Sequence, residues 1–206
     1  MSDILKITCY RHGQSEANAG HATLHPDTIE LTELGWSQAR GIAQAMREPP
    51  GLIVTSPFTR ARQSARPTAS RFPVVPNEVW DIGEFTYLCP NRCRNTTAQD
   101  RKAWVDAYWA RNDADFQSSA ESESFSQFMS RVVRCLDQLK ALDRQQLRNV
   151  VMFGHGQFFQ ALRLAANVGS NALTPTTFKA YDAQHWIPNA ASVVLSIDGD
   201  KVLAYE

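Results

Sequence analysis

Short apolar runs rich in β-branched residues alternate with helix-like segments along this chain, and that alternation most constrains its fold. A strand, a helix and a second strand in succession form a parallel pair, because the helix returns the chain to the same end of the sheet. The sequence therefore predicts an α/β fold, a three-layer α/β/α sandwich with a mostly parallel central sheet. The predicted strands span 4–10, 52–56, 72–76, 150–154 and 192–197, and the turn at 198–200 predicts a hairpin to a sixth strand.

Capping residues and prolines predict where the helices begin and end. One helix follows Thr32 as N-cap and stops before Pro49. A second opens at Ser56 as N-cap, with Pro57 in its first position and Pro67 kinking or ending it. The other predicted helices span 98–111, 124–142 and 156–167.

Residues 84–122 are predicted to form an excursion over one edge of the sheet. Loops at 84–97 and 112–122 flank the helix predicted at 98–111. No repeat, linker or low-complexity tract divides the chain, and 206 residues with 43% hydrophobic side chains can bury one sizeable core. We therefore expect a single domain over 1–206.

Charge and hydropathy exclude several classes of partner. The 21 basic side chains balance the 21 acidic ones, and no basic block stands out, so neither a nucleic-acid footprint nor a polybasic membrane patch is indicated. No stretch of about 18 apolar residues could span a bilayer, and the segment MSDILKIT does not resemble a secretory signal. We expect a soluble, cytoplasmic protein with no nucleic-acid or membrane partner.

The four cysteines indicate thiols rather than a metal site or disulfides. Cys89 and Cys93 are four residues apart, but no second pair and no nearby histidine completes a zinc set. The sequence DGD at 198–200 is better explained as a hairpin turn than as a magnesium site. No metal and no cofactor are therefore expected.

Histidines and arginines follow three of the predicted strands. The segments ITCYRHG and VVMFGHG both end an apolar strand with a His-Gly pair, and LIVTSPFTR places Arg60 four residues after Ser56. If the three strands are parallel, their carboxyl ends share the edge where open α/β sheets bind ligands. The sequence therefore predicts that Arg11, His12, Arg60 and His155 meet in one pocket.

The ligand that such a pocket would bind is an anion. Arg60 lies in the first turn of its predicted helix, where the helix dipole disfavours a cation unless an anion is also bound. Phosphate matches the guanidinium geometry best. Gly13 and Gly156 fit this interpretation, because the absence of a Cβ lets a ligand approach the backbone closely.

Five segments resemble, in order, the motifs of the histidine phosphatase superfamily, in its phosphoglycerate-mutase-like branch 1. They are RHGQSEAN (11–18), LTELGWSQA (31–39), SPFTRARQSA (56–65), ESFSQFMSRV (123–132) and VVMFGHG (150–156). The resemblance implies that His12 is the nucleophile that becomes phosphohistidine. It also implies that Arg11, Arg60 and His155 complete a phosphate clamp and that Asn18 helps to hold the phosphoryl oxygens.

Other positions in these motifs are weaker candidates. Gly13, Ser15, Gly156 and Gln157 are expected to contribute to substrate binding. The family places its general acid in a loop that GEFTYL (83–88) resembles, which nominates Glu84, with Asp81 and Glu78 as competitors in the same segment.

The predicted activity is metal-independent hydrolysis of a small phosphomonoester through a phosphohistidine intermediate. Two alternatives remain open. A phosphoglycerate-mutase-type phosphoryl transfer is disfavoured because only Tyr87 and Leu88 match the mutase segment around Glu84, and the glycine of that segment is missing. A catalytically silent phosphate-binding protein is disfavoured because every clamp residue is present.

Charged and aromatic side chains of the excursion have two interpretations each. Four of its basic residues either contact a polyanionic substrate or carry solvated charges, and three of its aromatic residues either pack in the core or form the mouth of the pocket. His21 and His25 are expected on the surface near the entrance. The residues in question are Arg92, Arg94, Arg101 and Lys102, and Trp104, Tyr108 and Trp109.

Overall fold

A computed structural model describes residues 4–169, 173–199 and 201–205, and its centre is one six-stranded sheet. The strand order is β3-β2-β4-β1-β5-β6. The first four strands run parallel, whereas β5 is antiparallel to β1 and β6 is antiparallel to β5. The predicted mostly parallel α/β sheet is confirmed. The strands are β1 (Leu5–Arg11), β2 (Leu52–Thr55), β3 (Asn77–Val79), β4 (Asn149–Gly154), β5 (Ser192–Asp198) and β6 (Lys201–Tyr205).

Helices cover both faces of the sheet, as the three-layer prediction requires. On one face α5 and α6 pack on Val150 and Met152 of β4, and on the other face α1 and α2 pack on Val151 and Phe153. Successive side chains of a strand point to opposite faces, so a central strand covered on both faces is apolar throughout. The described helices are α1 (Glu33–Ala45), α2 (Thr59–Arg71), α3 (Pro90–Cys93), α4 (Lys102–Arg111), α5 (Phe125–Ala141), α6 (Gly156–Val168) and α7 (Pro175–Gln184).

The strand predicted at 72–76 is wrong. That segment is a turn with Val74 91% exposed, and β3 pairs with β2 only over Asn77–Val79. Pro73 and Pro76 cannot donate to a strand ladder, which explains why pairing begins after them.

The prediction that Ser56 caps the second helix is also wrong. The Ser56 amide donates to Phe153 O and so continues the pairing of β2 with β4, and α2 begins only at Thr59. Pro67 does not end the helix, which continues to Arg71.

Two further boundaries differ from prediction. The helix predicted at 98–111 begins at Lys102, and α1 ends at Ala45, two residues before the end of the predicted run ELGWSQARGIAQAMR. The helix α7 was not predicted, and Asp200 of the predicted hairpin turn lies outside the described residues.

The excursion at 84–122 carries α3 and α4 and packs through an aromatic cluster around Phe85. The Phe85 ring stacks on Phe128 of α5, with 4.4 Å between ring centroids. Tyr87, Tyr108 and Trp109 surround the same ring. These contacts fix the excursion to the α5 side of the sheet.

Close backbone packing after β1 predicts a strong effect of one small substitution. A Cβ at Gly13 would lie 2.5 Å from Gly35 O at the start of α1, too close for any side chain. We expect Gly13→Ala to lower the free energy of unfolding by about 1–3 kcal/mol. Gly41→Ala is the matched control. Gly41 lies in α1, like Gly35, and no atom lies within 4 Å of the position that its Cβ would occupy. That control should be neutral or stabilise by about 0.5–1 kcal/mol.

Denaturant unfolding of both variants measures this difference. Equal stability of Gly13→Ala and the wild-type protein would contradict the backbone contact.

Candidate active site

The carboxyl ends of two neighbouring strands, β1 and β4, bring the two predicted histidines together. Arg11 and Gly154 are register partners at the ends of the adjacent strands β1 and β4. His12 and His155 directly follow them, so they lie side by side. Their rings are 5.2 Å apart between centroids. The predicted convergence at this edge of the sheet is confirmed.

His12 is buried, and its hydrogen bonds define which nitrogen carries the proton. Nδ1 lies 2.7 Å from Gly13 O, and Nε2 lies 3.1 Å from Arg60 Nε. A carbonyl oxygen only accepts and a guanidinium only donates, so the assigned tautomer has its proton on Nδ1 and its lone pair on Nε2. Burial, followed by the charge of Arg60, lowers the pKa of His12 well below the ordinary 6.5. The ring is therefore neutral, with Nε2 available as a nucleophile.

His155 is fully buried beside His12. Its Nε2 pairs with Ser56 Oγ at 2.8 Å, while its Nδ1 has no hydrogen-bond partner among the described residues. Burial and the charge of Arg60 also lower the pKa of His155 well below 6.5. One nitrogen of each imidazole is thus oriented by the protein.

Two arginines place positive charge against these rings. Arg60 lies in the first turn of α2 and is only 6% exposed, and its Nη1 donates to Pro26 O. Burial lowers the pKa of Arg60 to about 10. Arg11 donates from Nη1 to Ile187 O at 2.6 Å and stacks on the exposed ring of Trp186.

Two buried polar atoms of this cluster have hydrogen-bonding capacity to spare. Arg11 Nε and His155 Nδ1 are both buried without a partner among the described residues. A buried polar group without a partner costs about 1–3 kcal/mol, so it is expected where a ligand supplies the bond. Two guanidinium groups beside two neutral imidazoles favour an anion.

The carboxylate of Glu84 lies beside the first residues of α6 and faces the cluster of histidines and arginines. Its carboxylate accepts from the amides of Phe85, Gln157 and Phe158 at 3.1–3.4 Å. Burial raises its pKa above the ordinary 4.5, although Arg60 and Arg11 oppose the shift.

The two competing carboxylates point elsewhere. Glu78 is exposed and accepts from Trp80 Nε1, and Asp81 is exposed and pairs with Arg134. Of the three carboxylates, only Glu84 lines the cavity beside Arg60.

The weaker sequence candidates divide into two groups. Asn18, Ser15 and Gln157 line the same cavity as Arg60 and Glu84. Asn18 Oδ1 accepts from Ser15 Oγ, which orients the amide. Gly13 instead packs on Gly35, so its missing Cβ is explained by that backbone contact rather than by a ligand. A Cβ on Gly156 would lie 3.6 Å from Arg11 Nε, which is ordinary contact.

Sequence reasoning missed residues that hold the site in place. Asn189 donates from Nδ2 to His12 O at 3.1 Å and to Asn18 Oδ1 at 3.0 Å. Asp182 accepts from Gln157 Nε2 at 3.2 Å. Both residues follow the predicted motifs by more than 20 positions, and nothing in their local sequence marks them.

Arg131 fastens the segment that carries Glu84. Its Nη1 donates to Asp81 O and Gly83 O, both at 3.1 Å, while Nε and Nη2 hold the Glu123 carboxylate at 2.6 and 2.7 Å. Arg131 and Glu123 belong to the motif at 123–132, whose local sequence gave no sign of this link.

Most of the aromatic and basic residues of the excursion that had two interpretations pack against other side chains or lie on the surface. Tyr108 is buried and Trp109 contacts Phe85, whereas Trp104 stacks under Arg92 at 4.1 Å. Arg94 is exposed, and Lys102 pairs with Asp106 on the surface. Among the four basic residues only Arg101 lines the cavity.

The two surface histidines are both exposed, as expected. His21 pairs with Glu16, and His25 pairs with Asp27. His25 also lines the cavity, so its predicted position near the entrance is confirmed.

Within the described ranges, the side chains offer no alternative metal centre. No three His, Cys, Asp or Glu side chains converge there to hold an ion, and the four cysteines are free thiols. No helix among the same residues is long and apolar enough to cross a membrane.

The two histidines and two arginines at the carboxyl edge of this α/β sheet form a cluster whose charge favours an anion. Residues 7–203 match the profile of the histidine phosphatase superfamily (branch 1), and the chain belongs to this family. A search of curated protein sequences gave no match.

Solved structures with similar folds include several phosphatases. A structure described as mycobacterial hydrolase 1 is 23% identical, with a TM-score of 0.76 and coverage of 98% of this chain and 97% of that one. A putative α-ribazole-5′-P phosphatase from Escherichia coli is 19% identical, with a TM-score of 0.74 and coverage of 98% and 94%. A mycobacterial glucosyl-3-phosphoglycerate phosphatase in complex with VO3 is 25% identical, with a TM-score of 0.73 and coverage of 98% and 96%.

Proposed function

We propose that this protein hydrolyses a small phosphomonoester through a phosphohistidine formed on His12, without a metal ion. One observation carries the proposal: a neutral His12, whose unprotonated Nε2 accepts from Arg60 Nε, lies beside His155, where buried Arg11 Nε and His155 Nδ1 lack partners among the described residues. Phosphoryl transfer asks a protein mainly to position the reactants and to stabilise the charge on the phosphoryl oxygens. Arg11, Arg60 and His155 supply donors for those oxygens.

In the first step, His12 Nε2 attacks phosphorus and the bond from phosphorus to the ester oxygen breaks. Glu84 in its acid form gives its proton to the leaving oxygen, and a neutral alcohol departs. Burial raises the pKa of Glu84, which makes its acid form more accessible than that of a solvent-exposed carboxyl group. The charges of Arg11 and Arg60 stabilise the oxygens throughout the transfer.

In the second step, the Glu84 carboxylate takes a proton from water and the water oxygen attacks phosphorus. The bond between Nε2 and phosphorus breaks, which releases inorganic phosphate and regenerates neutral His12. Since Asn18 and Gln157 line the same cavity, they are placed to contact the phosphoryl group and the alcohol.

A phosphatase fits the cavity better than a mutase does. A mutase must grip a second anionic group, but of the four basic residues considered in the excursion only Arg101 lines the cavity, while Arg92 stacks on Trp104 and Lys102 pairs with Asp106. Turnover of p-nitrophenyl phosphate in EDTA supports the proposal. Turnover seen only with 3-phosphoglycerate and a bisphosphate primer supports the mutase, and no turnover of any ester supports the silent protein.

The dependence of kcat/KM on pH follows from two shifted pKa values. The reaction needs His12 without a proton and Glu84 with one. Because the pKa of His12 is lowered, the acid limb should lie well below pH 6.5. Because the pKa of Glu84 is raised, activity should persist above pH 4.5 before it falls. Initial rates from about pH 3 to about pH 9 measure both limbs. A profile that rises through pH 6.5 would contradict the neutral His12.

A further inference from the structure

The cavity lined by Arg60 and Glu84 reaches the histidines through Arg60, whose Nε donates to His12 Nε2, and its lining has two chemically different parts. Its volume is about 310 Å³, which is the size of a small-molecule pocket. Arg60, Glu84, Asn18 and Gln157 line the end near the phosphoryl position. Away from them the lining is mostly apolar and includes Leu24, Ile29, Phe85, Leu88, Pro90 and Val105.

Two segments form this apolar end and are held together by hydrogen bonds. The loop after β1 and the excursion meet where the Thr23 amide donates to Thr96 O at 3.2 Å and the Asn95 amide donates to Thr23 O at 2.8 Å. The two walls are therefore joined to each other by backbone hydrogen bonds.

Arg101, the basic residue that lines this end of the cavity, joins the two walls through hydrogen bonds. Arg101 donates from Nε to Thr96 Oγ1 and from Nη2 to Thr23 Oγ1, both at 2.9 Å, and from Nη2 to Thr96 O at 2.6 Å. Its Nε and Nη2 are thus occupied by neutral groups on both segments. Of its nitrogens only Nη1 makes no hydrogen bond with the described residues, so a second phosphate or carboxylate would meet fewer donors here than the first one meets at Arg11 and Arg60.

We propose that the alcohol part of the substrate is uncharged and mainly apolar, an alkyl or aryl group held between the loop after β1 and the excursion. This inference rests on the proposed function, because it assigns the far end of the cavity to the leaving group. The phosphate remains the only anionic group of the substrate. Apolar area removed from water is the main source of affinity at this end.

Three esters of primary alcohols test the proposal, because their intrinsic leaving-group reactivities are similar. They are 3-phenylpropyl phosphate, glycerol 3-phosphate and 4-carboxybutyl phosphate. We expect kcat/KM for the phenylpropyl ester to exceed that for the carboxybutyl ester by about tenfold or more. Equal values, or a preference for the carboxylate, would overturn the inference and leave phosphatase activity standing.

Variants on both walls test where the alkyl group lies. Val105→Glu on α4 and Leu24→Glu on the opposite loop should each reduce the preference for the phenylpropyl ester by about tenfold. Ala110→Glu is the control, because Ala110 is exposed on the same helix and does not line the cavity. Leu24 is 58% exposed, so its replacement tests the idea even if Val105→Glu unfolds. An unchanged preference in folded Val105→Glu and Leu24→Glu would refute the placement.

Calorimetry with phosphonates separates this inference from the proposed function. The phosphonate analogues of the phenylpropyl and carboxybutyl esters cannot be hydrolysed, so their affinities do not depend on catalysis. Tighter binding of the phenylpropyl compound without turnover of any ester would refute the phosphatase and retain the apolar site. Equal binding of the two compounds would refute the apolar site.

Discussion

Replacing His12 with alanine is expected to lower kcat/KM for every phosphomonoester by about 10⁴-fold or more. The reason is the loss of the Nε2 lone pair that stands 3.1 Å from Arg60 Nε. The neighbouring His155 cannot replace it, because its Nε2 is bonded to Ser56 Oγ and its ring is held in the adjacent strand end. Initial rates with p-nitrophenyl phosphate measure the loss.

A covalent label distinguishes a nucleophile from a structural histidine. Wild-type protein mixed with a ³²P-labelled ester and quenched in alkali should retain the label, and acid should release it, since a bond between nitrogen and phosphorus is acid-labile. His12→Ala should carry no label. His21→Ala is the matched control, because His21 is exposed and pairs with Glu16. Label retained in His12→Ala at the wild-type level would exclude the proposed intermediate.

Glu84→Gln is expected to lower kcat/KM by about 10²–10⁴-fold for an alkyl phosphate and by much less for p-nitrophenyl phosphate. An alkoxide leaves only with a proton, whereas p-nitrophenolate is stable without one. The Oε1 of glutamine can still accept from the amides of Phe85 and Phe158, so the side chain should keep its position although the bond from the Gln157 amide is lost. The quantity kcat/KM reports the steps up to phosphoryl transfer and so isolates the role of the acid.

The competing carboxylates supply the controls for Glu84. Glu78→Gln and Asp81→Asn should retain the wild-type ratio between the two esters, because both side chains are exposed and bonded outside the cavity. The alkaline limb of the pH profile should also disappear in Glu84→Gln alone. A similar loss for both esters in Glu84→Gln would contradict its role as the acid, and a selective loss in Asp81→Asn would transfer that role.

The sequence placed the main site residues well because their positions depend on local patterns. An apolar β-branched run followed by a His-Gly pair predicts a strand end, and parallel strands share the edge at which they end. His12 and His155 are therefore neighbours by register, even though 143 positions separate them. Their convergence required only that β1 and β4 be adjacent.

Elements whose position depends on hydrogen bonding rather than on apolar pattern were predicted less well. The run FPVVP has the composition of a strand, yet its prolines cannot donate, and pairing moves to Asn77–Val79. Ser56 has the residue type of an N-cap, yet its amide extends the pairing with β4 and its hydroxyl bonds His155. Local residue type does not reveal that a longer-range partner competes for the same group.

The sequence by itself determined the α/β architecture and the cluster of Arg11, His12, Arg60 and His155, because both follow from periodicity and strand order. Only the tertiary structure showed that Glu84, and not Glu78 or Asp81, lies in the cavity. The backbone at Asp81 and Gly83 is held by Arg131, which belongs to a helix about 50 residues away. The same is true of Asn189, which reaches His12 across 177 positions. Such contacts depend on how the loops pack together, and no short-range pattern in the chain encodes that packing.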